Sequence, residues 1–206
     1  MKLQYVKNKI SSEMEVYFRE YGFSLRKKNF EYIKKNKDSC EIFWIRIHVK
    51  TEWFLVTPSV YCAYPQINKL LNSIFERSDS ANSPTFGFGI GNEFDHKRGR
   101  YNIDNNNSSL AGAISLLKKD FHEIALPWFE KVNSLELLDE FLHPSESDEF
   151  LPNSINDISV GLIVAKLVDN PLYEKIVNDY YKFCLSTKNP RIIEELDITK
   201  KYLGGI

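Results

Sequence analysis

Several groups of residues in this chain could do chemistry, and their spacing decides what each is able to do. His122-Glu123 opens like the helix of a zinc hydrolase. That chemistry needs a second histidine one helical turn later, so that two imidazoles project from one face. Leu126 stands at that position. The other histidines, His48, His96 and His143, are scattered, with no second ligand at metal spacing. Neither a metal nor a cofactor is therefore expected, and His122-Glu123 is read as an exposed helix face. Gly87, Gly89 and Gly91 look superficially like a phosphate loop, but they alternate with Phe86, Phe88 and Ile90. With period two the large residues share one strand face and the glycines the other. This predicts a glycine-lined face against which a helix packs, or alternatively a shallow groove floor, rather than a loop opening a helix around phosphate. Cys62 could pair with His48 on a neighbouring strand, yet no third group orients them. Glu194-Glu195 and Asp148-Glu149 are adjacent pairs, which do not share a helix face.

The polar segment 92–107 has more to offer. It gathers Asp95, His96, Lys97, Arg98, Arg100 and Asp104 with several asparagines between a strand and a helix, where binding groups often reside. The candidate binding residues are accordingly Asp95, His96, Arg98 and Arg100 of this loop, with Gly87 and Gly89 of the glycine-lined face.

The elements that must position these groups follow from periodicity. Residues 5–21 carry apolar side chains at helical spacing, and Gly22 stops the helix. The pattern then changes period. Phe43, Ile45, Ile47 and Val49 alternate with Trp44, Arg46, His48 and Lys50, which predicts a strand with the first set on the core face and Trp44 or Trp53 well buried. Short connections on either side predict an antiparallel meander, and Pro58 marks a bulge or an edge. Residues 66–77 read as a helix, 86–104 as a further hairpin, and everything from 110 onward as helices. Pro127 is expected to kink or end the helix near Leu126, Ser134 to cap the next one, and Ser108 or Ser109 to cap the helix before. Segregated strands and helices predict an α+β fold: an N-terminal helix, an antiparallel sheet of about five strands, and C-terminal helices on one face. The expected division is a sheet domain over 1–142 and a helical extension over 143–206 packed on the same core.

Composition narrows the partners. The chain has 206 residues, with 27 basic and 28 acidic side chains for a net charge of −1. No basic excess points to nucleic acid. The charge is nonetheless segregated: residues 26–37 are basic, 143–150 acidic. Fourteen Phe, eleven Tyr and three Trp predict a thick aromatic core. Cys40, Cys62 and Cys184 are too few and too widely spaced for a disulfide framework, so buried free thiols and a reducing, cytoplasmic setting are expected. No run is long and apolar enough for a membrane span, and the N-terminus does not read as a secretion signal.

Three stretches together resemble a known family: the helix ending in Gly22-Phe23 with Phe30 after it, the tryptophan-bearing strands 41–62, and the helix closing on Pro127-Trp128-Phe129 with a short leucine-rich helix beyond. Over residues 14–142 the chain is similar to the bacterial small α+β proteins grouped as domain of unknown function 4304. The resemblance implies the fold and no catalytic residues. Relatives of such architecture are suspected immunity or interaction proteins. Two readings follow. The favoured one is a cytoplasmic binding protein, in its specific form an immunity-type protein that neutralises a toxin. The alternative is a hydrolase or small-ligand enzyme built on the polar loop 92–107.

Overall fold

The computed structural model describes residues 2–93, 99–104, 107–152 and 157–205. Helix α1 (Leu3–Arg19) buries Val6, Ile10, Met14 and Phe18, a spacing of four that lays one apolar stripe along a single face. Gly22, at φ +82°, turns the chain out of the helix, and the Phe23 N–H closes the end on the Phe18 carbonyl at 3.1 Å. Strands β1 (Ser24–Arg26), β2 (Glu31–Lys35), β3 (Cys40–Val49) and β4 (Phe54–Ala63) follow as a meander. Beyond them come α2 (Pro65–Phe75), β5 (Phe86–Gly89), α3 (Ile90–Glu93) and β6 (Tyr101–Ile103). The rest is helical: α4 (Asn107–Asp120), a π-helical turn (Phe121–Ala125), α5 (Leu126–Val132), α6 (Leu135–Leu142), α7 (Asp157–Leu167), α8 (Tyr173–Thr187) and α9 (Pro190–Leu203). The fold is α+β with an antiparallel sheet, as the segregated periodicities imply.

Two compact units interleave along the chain. The first takes residues 1–62 and 87–130, the second 63–86 and 131–206. None of the three junctions falls at the 142/143 boundary drawn from chain order, because α2 and α6 group with the later helices.

In the first unit, aromatic rings form the contact between helices and sheet. Tyr32 and Phe43 pair across β2 and β3. Phe18 of α1 lies over both, with ring centroids 4.3 and 5.3 Å away. Phe121 closes the cluster 4.3 Å from Phe18, 5.2 Å from Phe23 and 5.3 Å from Phe43. Each such buried ring contributes roughly 1.5–3 kcal/mol by leaving water. The alternation along β3 sets the face correctly for Phe43 and Ile45, which are buried, but the cover runs out along the strand: Val49 is 60% exposed. Trp44 and Trp53 are half-buried rather than core; the buried tryptophan is Trp128, packed edge-on to Phe88 at 5.4 Å.

Strand β4 is the hub of the far side of the sheet. Both β5 and β6 pair with it, so 86–104 is not the expected hairpin. Phe54–Val56 face β6, whereas Gly87 of β5 lies against Val60 and Tyr61. Pro58 sits between these two stretches, buried in a strand with neighbours on both sides rather than at an edge.

Pro127 does not end its helix. A proline cannot donate to the carbonyl four residues back and its ring clashes there. The chain instead widens over Phe121–Ala125, and the Leu126 N–H bonds the Phe121 carbonyl five residues back. A π-turn of this kind inserts one residue and lets the helix resume. Trp128 and Phe129 remain buried beyond it. Ser134 caps α6 as expected, accepting from the Leu137 N–H at 3.2 Å. Ser109, by contrast, lies inside α4 and donates to Asp104.

The second unit is helical around α7. Residues 158–165 of this helix are buried on every side, since α2, α6, α8 and α9 all pack on it. That explains why 158–165 shows little of the polar patterning of a surface helix. Cys184, in α8 of this unit, is buried and outside any disulfide, as are Cys40 and Cys62 in the first.

Two glycines in the first unit give opposite expectations. Gly99 has φ +69°, and a Cβ there would lie 2.3 Å from the Gly91 nitrogen. Gly99→Ala should cost about 2 kcal/mol or more. Gly112, in α4, has nothing within 4 Å of a built Cβ. Gly112→Ala should raise stability by about 0.5–1 kcal/mol through helix propensity. Urea unfolding of the two variants checks both signs.

Candidate functional site

Of the candidate residues, Asp95, His96 and Arg98 lie outside the described residues. Arg100 lies between two anchors. Gly99 backs onto Gly91 and closes the base of the loop. Tyr101, buried, receives the Gly99 N–H on its hydroxyl at 3.0 Å and donates to the buried carboxylate of Asp120. With its neighbour fixed inward, Arg100 is left exposed, and it lines an open cleft of about 820 Å³. The other walls come from the β3–β4 turn and β6. Val49, Trp53 and Leu55 present apolar surface, Lys50 a second cation, and Glu52 a carboxylate.

Gly87 has a different role from the one its spacing predicts. Gly87 adopts φ +150°, and a Cβ there would sit 2.1 Å from the Val60 carbonyl oxygen and 2.7 Å from the Tyr61 ring. What packs closely is the neighbouring strand and its tyrosine, neither a helix nor a ligand. Gly89 is half-buried in the same strand. The Tyr61 hydroxyl accepts from the Arg46 guanidinium at 3.2 Å, and that guanidinium stacks on Trp44 at 4.0 Å. Trp44 in turn donates its indole N–H to the Asn29 carbonyl at 2.9 Å. Arg46 thus bridges Tyr61 and Trp44, while its buried Nε has no hydrogen-bond partner. His48 bonds Thr57 at 3.2 Å, whereas Cys62 is buried five residues further along β4. His122 and Glu123 are exposed on their helix, as read.

The second unit holds a constellation that the sequence did not reveal. Asp139 receives the Asn170 amide at 2.6 Å and the His143 Nδ1 at 2.7 Å; the His143 Nε2 lies 2.8 Å from the Tyr180 hydroxyl. With a neutral ring, Nδ1–H donates to the carboxylate and Nε2 accepts the phenol proton. The order carboxylate, imidazole, hydroxyl is that of a hydrolytic triad. Its setting is not. Tyr180 is completely buried, and its hydroxyl occupies the space that a Cβ at Gly161 would need, 2.4 Å away. Burial, then the nearby Asp157 and Asp139 charges, push the phenol far above its ordinary range. No substrate reaches this hydroxyl. The cluster is a polar joint that ties the end of α6 to α8 and to the turn before it. Asp139 and His143 are spaced to share a helix face, but Tyr180 lies 37 residues further on. Among the described residues, no three or more His, Cys, Asp or Glu side chains are grouped to hold a metal ion.

A second joint pins the acidic segment. Buried Asp179 accepts from Lys175 at 3.1 Å, Lys182 at 3.0 Å and the Phe150 N–H at 3.3 Å. Burial alone would raise this carboxyl. The hydrogen bonds from Lys182 and Lys175, with that from Phe150, outweigh it and hold its pKa below the ordinary value of 3.8.

No protein-family model, curated protein or solved structure matches the chain.

Two stability measurements check these joints. Tyr180→Phe leaves the His143 Nε2 unpaired in the interior and should cost about 1–3 kcal/mol in urea unfolding. For Asp179 the folded pKa is depressed, so its contribution is complete above the unfolded value and disappears as pH falls through the folded one. Asp179→Asn should therefore lower the melting temperature by several degrees at neutral pH, about 2–4 °C per kcal/mol. The gap to the unaltered protein should close as pH falls below about 4, the ordinary aspartate range.

Proposed function

We propose that this chain is a binding protein that docks an acidic surface of a partner protein in the cleft around Trp53 and Arg100. The observation that carries this reading is the grouping there of apolar Val49, Trp53 and Leu55 with two cations, Lys50 and Arg100, against one carboxylate. Tryptophan and arginine dominate the energetics of protein interfaces because they combine large buried area with directed polar contacts. The unit that bears the cleft has 17 basic and 13 acidic residues, a net +4, whereas the other has 10 and 15, a net −5. A basic body favours an acidic partner and speeds encounter. The resemblance to the domain of unknown function 4304 family supports the same class of role. An immunity-type protein, whose partner is a toxin met in the cytoplasm, is its specific form. No helix among the described residues is long and apolar enough to cross a membrane.

The test compares the unaltered protein with a Trp53→Ala/Arg100→Glu double variant. Both are used to capture partners from the native lysate, and the captured protein is then purified and titrated calorimetrically. A single acidic protein should bind the unaltered chain and lose at least about 30-fold in affinity with the variant, the scale of one interface hot spot. Equal binding by the variant rules out the cleft. Recovery of a nucleic acid or a metabolite instead rules out the reading itself.

A further inference from the structure

A smaller cavity in the second unit has the makings of a ligand site, and its residues are independent of the cleft. Two asparagines one turn apart on α2 organise the loop after it. Asn68 donates to the carbonyls of Ala81 and Ser83 at 3.0 and 2.8 Å, and its own carbonyl accepts from Thr85 at 2.8 Å. Every polar atom of that side chain is therefore used. Asn72 donates to the Asp79 carbonyl at 2.8 Å, which fixes the direction of its amide. Its Oδ1, however, is buried and has no hydrogen-bond partner. An orphaned buried acceptor costs about 1–3 kcal/mol, so its retention calls for a reason.

That reason lies in what surrounds it. Asn72 lines a cavity of about 220 Å³ with Asn68, Ser159, Arg77, Asp79 and Glu195. The size is below the roughly 300–1,000 Å³ of pockets for drug-sized ligands. Glu195 receives one hydrogen bond, from the Ser159 hydroxyl at 3.1 Å. That same hydroxyl lies 3.0 Å from Thr199, whose own proton goes to the Glu195 main-chain carbonyl at 2.8 Å. One serine proton thus serves two acceptors, and the carboxylate keeps most of its capacity. Arg77, the one cation among the lining residues, has its guanidinium stacked on the Phe75 ring at 4.8 Å. The walls therefore offer vacant acceptors and a net negative charge. An anion would leave both acceptors unmatched, and a neutral donor would leave the Glu195 charge uncompensated. An ammonium group supplies three donors and the opposite charge.

We infer that this cavity binds a small primary amine, with the ammonium held between the Asn72 side-chain oxygen and the Glu195 carboxylate. Isothermal calorimetry of the full chain with n-butylamine or putrescine tests it, with 1-butanol, 1,4-butanediol and succinate as matched neutral and anionic probes. Amine binding should be saturable, at least about tenfold tighter than for the alcohols, and absent for succinate, since one lost ion-pair contact of about 1.4 kcal/mol is tenfold. Glu195→Gln keeps shape and hydrogen bonding at a half-exposed position and should weaken the amine at least tenfold. Asn72→Ala should do the same, with its fold checked by circular dichroism. No amine binding at millimolar concentration, equal binding of the alcohols, or unchanged affinity in Glu195→Gln would each overturn the inference.

Discussion

Pro127 constrains the first unit more than any other single residue. Its ring forbids the ordinary helical bond, and the π-turn that results inserts one residue between α4 and α5. Insertion shifts everything after it by about 100° around the axis, since an α-helix turns that much per residue. Leu117 before the turn, Phe121 at its start, and Trp128 and Phe129 after it are all buried. Phe121 then meets rings from α1, the Gly22 turn and β3 together. The faces of α1 and of the sheet are both committed to that ring, and the shift that follows it lets Trp128 and Phe129 be buried as well.

The second unit solves a different problem. A helix buried on all sides cannot distinguish its neighbours by apolar contact alone, because such contact is non-directional. Here polar joints at the periphery supply direction. Asp139–His143–Tyr180 fixes α6 to α8, Ser159 meets Glu195 and Thr199 to fix α7 to α9, and Asn68 fixes the loop beyond α2. Gly161 belongs to the same scheme, since its bare Cα is what admits the Tyr180 hydroxyl.

How much of this could be read in the sequence depended on range. The helix over 3–19, its stop at Gly22, the meander and the Ser134 cap follow from local spacing and were legible. The exposure of Val49 was not, because where the helical cover ends is set by elements remote in the chain. The alternation of glycines with phenylalanines signalled close packing, which the structure shows at Gly87. Its source, Tyr61 and the β4 backbone, lay on a strand already read for other reasons. His143 looked like a helix end because its partner Tyr180 is distant in sequence. Arg100 is legible as a surface group, but the apolar bulk of Trp53, which lines the same cleft, makes it one of two tryptophans expected in the core. The orphaned oxygen of Asn72 has no signal in sequence at all, since it depends on which way an amide is turned.

The interleaving of the two units has a consequence for how the chain is made. Residues 63–86 leave the ribosome before most of their own unit exists. Helix α2 must wait for α7 and α9, more than eighty residues later, to cover its apolar face. The first unit is likewise split around this segment, but all its parts have emerged by residue 130. Domains fold as units during synthesis, and surface left uncovered in the interval is where association with other chains begins. The N-terminal unit can therefore close first, while α2 remains the segment most in need of protection until the chain reaches α9.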